Sequence, residues 1–95
     1  MSEGRATLNG LVWTEEASQD LTAISVCISR EDPQAASQVI KALISTIGKL
    51  ENAPTAGKVG RIPGTRELVL GGGAYTIAFR VKDTRIEILR LIHVV

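Results

Sequence analysis

TRELVLGGGAYTIAFRVKDTRIEILRLI, residues 65–92, decides the fold. Leu68 and Leu70 alternate with Glu67 and Val69, and Tyr75, Ile77, Phe79 and Val81 alternate with Thr76, Ala78 and Arg80, the period-two pattern of strands with one buried face. Between them Gly71-Gly72-Gly73 supplies a turn with free access to positive φ. Lys82-Asp83-Thr84 makes a second turn, after which Arg85–Ile92 opens as an alternating strand and becomes apolar on both faces through Leu89, Leu91 and Ile92, as interior strands do. The stretch therefore predicts a three-stranded antiparallel meander. If its last strand is regular, His93 shares a face with Glu87, Leu89 and Leu91.

Upstream the period changes to that of a helix. Ala17, Leu21, Ile24 and Ile28 line one face and predict a first helix over 15–30, capped by Thr14, with Glu15 and Glu16 at the favourable end of its dipole. Asp32-Pro33 stops that helix and starts another, since proline suits a first helical position and Asp32 can cap it. The second helix carries a broad stripe of Ala36, Val39, Ile40, Leu43, Ile44, Ile47 and Leu50, so the two form an αα-hairpin. Residues 11–14, LVWT, read as a first strand. Residues 51–64, ENAPTAGKVGRIPG, have no apolar period and two prolines, and read as a long loop. The expected class is α+β: an N-terminal strand, an αα-hairpin and the meander, forming one four-stranded sheet under a helical layer.

Composition sets the outer limits. The chain has 95 residues, enough for one domain, assigned to 11–95 behind a flexible leader at 1–10. Its three aromatics are Trp13, Tyr75 and Phe79, so aliphatic side chains must fill the core, with Trp13 as an anchor between sheet and helices. A net charge of +1 offers no global attraction to nucleic acid or membrane, so any polyanion must be met by a local patch. One cysteine and one histidine exclude an intramolecular disulfide and a zinc cluster; no metal and no cofactor is expected. There is no apolar run of the ~18 residues that span a bilayer and no secretory signal, which predicts a cytoplasmic protein without a membrane partner.

Few residues carry distinctive chemistry. Lys58, Arg61 and Arg66 place three cations and no carboxylate within residues 54–66, a basic patch suited to nucleic acid, an acidic protein surface or a solvated loop. Arg80 shares a strand face with Thr76 and Ala78, where it can meet a phosphate or carboxylate, or pair across strands with Glu67 or Glu87. His93 can transfer protons, contact a target, or simply bond nearby backbone. Cys27 lies beside the buried stripe and reads as an inert, buried thiol. The glycine triplet lacks the following helix of a phosphate cradle.

A wider pattern joins these pieces. Trp13-Thr14 before a helix, Asp20-Leu21 with Ile24 inside it, Asp32-Pro33-Gln34-Ala35-Ala36, Pro54, Gly57, Pro63-Gly64-Thr65-Arg66-Glu67-Leu68-Val69, Tyr75, Phe79-Arg80-Val81 and Ile86-Glu87-Ile88-Leu89-Arg90 to His93 resemble, in unbroken order over about residues 11–93, the RelE/ParE toxins of bacterial type II toxin–antitoxin modules. The resemblance implies a toxin silenced by a cognate antitoxin in a hetero-oligomer. RelE-like members are ribosome-dependent mRNA endoribonucleases; ParE-like members poison DNA gyrase. Where RelE-like members carry a key arginine on the third strand, this chain has Thr76, and it shows no basic or tyrosine tail beyond His93. That departure favours the ParE-like class, with an inert member that only binds antitoxin as a further alternative. The implied target or antitoxin surface is Lys58, Arg61, Arg66, Tyr75, Arg80, Arg90 and His93. In the ribonuclease alternative, with ribosome and mRNA as partners, Arg66, Arg80 and His93 are the remaining catalytic groups.

Overall fold

The computed structural model describes residues 10–94, so of the expected leader only Gly10 falls within it, as the first residue of a strand. The elements run β1 (Gly10–Trp13), α1 (Glu15–Ser29), α2 (Pro33–Gly48), β2 (Lys58–Val59), β3 (Arg66–Leu70), β4 (Tyr75–Lys82) and β5 (Arg85–His93). One 3-10 turn, Lys49–Asn52, prolongs α2, and another fills the β3–β4 turn at Gly71–Gly73, all three glycines at positive φ.

The strands form a single sheet in the order β1-β5-β4-β3-β2. The meander β3-β4-β5 is antiparallel, and β1 adds parallel to β5 with Leu11 opposite Ile86 and Trp13 opposite Ile88. β5 is thus interior, as its two-sided apolar sequence predicts. The helices cover one face only. Against them pack Ile77, Phe79, Ile86 and Ile88, all fully buried, together with Ala17, Ile24, Leu43, Ile47, Leu50 and Leu91. Trp13 packs against the edge of this cluster, half-buried.

Local chemistry explains the helix boundaries. Thr14 Oγ1 accepts from the Ala17 backbone N–H at 3.1 Å, and Asp32 accepts from Gln34 and Ala35 at 3.1 Å each, so both helices start where the caps sit. The Thr14 hydroxyl also donates to the Ile88 carbonyl at 2.8 Å, tying the start of α1 to β5.

Several expectations need correction. The sheet has five strands rather than four, because Lys58 and Val59, within the expected loop, pair with Glu67 and Arg66. Two residues are too short a run to show a period. Cys27 is exposed, not buried, and Ile44 is 49% exposed despite its place in the second stripe. Both stand roughly 80–90° from the centre of their helix's buried face at 100° per residue.

The largest correction concerns the last strand. Pairing with β4 shifts register between Ala78 and Phe79, which face Arg90 and Ile88, so Leu89 is an extra residue in a β-bulge. Alternation restarts after it. Leu91 joins Ile86 and Ile88 in the core, and His93 follows Leu91 to the helical side, while Glu87 and Leu89 stay on the other face.

Candidate functional site

The sheet face away from the helices is the broad surface left for a partner. Register places Val12, Glu67, Val69, Thr76, Ala78, Arg80 and Glu87 there, and places all three aromatics, Trp13, Tyr75 and Phe79, on the opposite side. The segment 60–65 folds back over part of this face. Beneath it lies a cavity of about 400 Å³ with Ile62, Ala78, Leu89 and Ile92 as its apolar lining and Arg61 and Arg90 beside it. A neighbouring hollow shares Arg61 and Glu67 and adds Lys58, Val69 and Thr76.

Two adjacent residues of β3 hold residues 55–61 from opposite sides. Arg66 points to the helical face, where its guanidinium donates to the carbonyls of Thr55 (2.8 Å), Ala56 (3.2 Å) and Gly57 (3.1 Å). Gly57 has to be glycine here: its φ is +80°, and an added Cβ would sit 2.3 Å from the Glu67 carbonyl oxygen. Glu67, on the open face, accepts from both the backbone N–H (3.2 Å) and Nε (3.3 Å) of Arg61. Chiefly the backbone bond from Arg61 holds its carboxyl below the ordinary glutamate value.

Arg80 and Arg90 are also paired. Arg80 Nε bonds Glu87 Oε1 across the β4–β5 hairpin, and that bond holds the Glu87 carboxyl below its usual range. Arg90 makes a two-pronged contact with Asp20 of α1, at 2.7 and 3.0 Å, while Asp20 also accepts from the Leu91 backbone N–H at 3.0 Å. The Arg90 guanidinium, foremost, pulls the Asp20 carboxyl down, and Asp20 pushes Arg90 up in return. Asp20 thereby occupies the edge of β5 beyond the point where β1 ends.

His93 sits elsewhere. Its ring stacks on Tyr75, with centroids 4.7 Å apart and planes 15° off parallel, and borders a cleft of about 200 Å³ with Asp20, Ala23, Cys27 and Leu91. Of the residues singled out from sequence, Lys58, Arg61 and Arg90 come together around the open-face hollows, and Tyr75 and His93 form a separate pair. Arg66, Arg80 and His93 do not converge. Arg66 and His93 lie on the helical side and Arg80 on the open one, and Tyr75, the partner of His93, is five residues from Arg80, about 17 Å along a strand. The sequence reading missed Asp20, whose partner lies 70 residues away, and Ile62, Leu89 and Ile92, whose shared cavity depends on the bulge and the folded-back segment. Among the described residues no group of three or more His, Cys, Asp or Glu could hold a metal, and no helix is long and apolar enough to cross a membrane.

A two-helix hairpin on an antiparallel meander with a parallel N-terminal strand is a distinctive arrangement, and it matches known proteins. The family described as "ParE toxin of type II toxin-antitoxin system, parDE" matches residues 11–94. The chain belongs to the ParE toxin family. A relative in Sinorhizobium fredii (strain NBRC 101917 / NGR234), named "Putative toxin Y4kP", is 37% identical over 81 residues, which are 85% of this ParE-family chain and 83% of the relative. Among solved structures, the chromosomal ParDE system of P. aeruginosa superposes with a TM-score of 0.83 at 28% identity, covering 96% of this chain and 100% of that one. The RelBE2 toxin–antitoxin complex of Mycobacterium tuberculosis gives a TM-score of 0.61 at 25% identity over 93% of this chain and 100% of the other. E. coli toxin RelE shares the fold at 16% identity, with a TM-score of 0.65 over 90% and 82% of the two chains. This ParE-family chain is accordingly a type II toxin of the ParE/RelE superfamily.

Proposed function

We propose that this toxin acts in the cytoplasm by binding and poisoning DNA gyrase, without turning over a substrate, and that a cognate antitoxin neutralises it in a hetero-oligomer. The ParE family match and the likeness to a ParDE system support both parts. The observation that carries the reading is the dispersal of the groups a ribonuclease needs. Cleaving RNA through its 2′-hydroxyl takes a base, an acid and a cation arranged around one phosphate. Here Arg66 is engaged by three carbonyls, Arg80 by Glu87, and His93 is stacked on Tyr75 on the other side of the sheet from Arg80. The open face has no aromatic on which a base could stack. Lys58, Arg61 and Arg90 around one apolar hollow and a more polar neighbour suit a protein partner instead.

Purified toxin is to be added to a gyrase supercoiling reaction and, separately, to ribosomes translating a defined message. Inhibition of gyrase, relieved by stoichiometric antitoxin, is the expected result. Cleavage of the message only in the presence of ribosomes overturns the reading, and silence in both assays alongside tight antitoxin binding reduces the protein to a non-toxic binder.

A further inference from the structure

The cavity beneath segment 60–65 is a formed feature, because the segment is held twice: Glu67 binds Arg61 near its start, and the Gly60 backbone N–H donates to the Thr65 carbonyl at 2.8 Å across its base. Its lining is apolar, with Ala78 at the centre of β4 as the small residue that leaves room for an incoming side chain. At about 400 Å³ it can take one large aliphatic or aromatic group. Around it and the adjoining hollow stand Lys58, Arg61 and Arg90, of which Arg61 is paired with Glu67 and Arg90 with Asp20. The Arg61 and Arg90 side chains are 79% and 57% exposed, so each keeps guanidinium N–H groups directed at solvent. An apolar seat within a cationic rim selects an apolar anchor flanked by carboxylates.

We infer that this cavity is the target-docking site of the toxin, receiving one bulky apolar side chain from an acidic segment of gyrase. The inference rests on the gyrase reading above and adds where the contact is made. It predicts that filling the cavity removes gyrase inhibition while leaving the helical side of the molecule untouched. Ala78→Phe places a ring over the open face with no change in the core, and Lys58→Glu reverses a rim charge on β2, opposite Glu67.

Both variants are to be compared with the wild-type chain for thermal midpoint, gyrase inhibition at several salt concentrations, and antitoxin binding by calorimetry. Ala78→Phe is expected to raise the concentration needed for inhibition by about ten-fold or more, as loss of a buried anchor does, with midpoint and antitoxin affinity retained. Lys58→Glu is expected to weaken inhibition several-fold at low salt and less at high salt. Unchanged inhibition by Ala78→Phe overturns the docking site alone. Loss of antitoxin binding together with inhibition, at an unchanged midpoint, overturns the assignment to the target. A wild-type chain that leaves gyrase active overturns the functional reading and the docking site with it.

Discussion

Asp20 is the most consequential surface residue that the chain's pattern does not reveal. One carboxylate accepts from the Arg90 guanidinium and from the Leu91 backbone, fastening α1 to the part of β5 that β1 does not reach. The Arg90 side chain is 57% exposed against 17% for Asp20, so solvent screening at the arginine keeps the contribution of the pair small. The sign of its pH dependence is fixed by the depressed carboxyl. With the folded-state value below the ordinary 3.8, the contribution is complete above that value and disappears as pH falls through the folded-state one. Asp20→Asn keeps an acceptor for Leu91 but loses the charge. Its denaturant midpoint is expected to lie below wild type at pH 7 and to converge with it in the acid range, as urea titrations from pH 7 to 2 would record. A penalty that persists at the lowest pH would assign the effect to packing rather than charge.

At the scale of elements, segment 53–65 is held to β3 more than it is built from its own sequence. Replacing Arg66 with Met keeps an apolar stem and deletes donors to three carbonyls, which releases residues 55–57. Trypsin is the direct probe, because Lys58 and Arg61 lie within the segment. Cleavage there is expected to accelerate by about ten-fold or more while the rest of the chain stays resistant, since local opening need not cost global stability. The same elements show what a sequence can disclose. The two helices, their Thr14 and Asp32 caps and the three meander strands were all legible, because a period of 3.6 or 2 and a capping residue are local signals. β2 was not, being two residues long and dependent on β3 for its pairing. The bulge at Leu89 was invisible for a related reason: an extra residue exists only relative to a partner strand, and it reversed the face assigned to His93. Of the site, the basic composition of 54–66 was readable, whereas the carboxylates that pair Arg61 and Arg90 and the carbonyls that hold Arg66 come from elsewhere in the chain.

For the molecule as a whole, one aliphatic cluster joins both helices to the sheet, with Phe79 as its largest fully buried side chain. Phe79→Ala removes that centre and is expected to cost about 3–5 kcal/mol. Against the roughly 5–15 kcal/mol typical of a domain, this lowers the thermal midpoint by some tens of degrees or leaves the chain unfolded at 37 °C. Circular dichroism melts of the two proteins would measure it. A shift of only a few degrees would show that the helices and the meander are stabilised separately.

The pairing of β1 with β5 also orders events in time. Leu11 and Trp13 meet Ile86 and Ile88, partners about 75 residues further along the chain. During translation the helical hairpin can form early, but its apolar side has no sheet to lie against until the final strand clears the ribosome. A growing polypeptide of this kind spends most of its synthesis without a finished surface. The open sheet face exists only once β5 has paired, and that delay is an interval in which a neutralising protein can already be waiting.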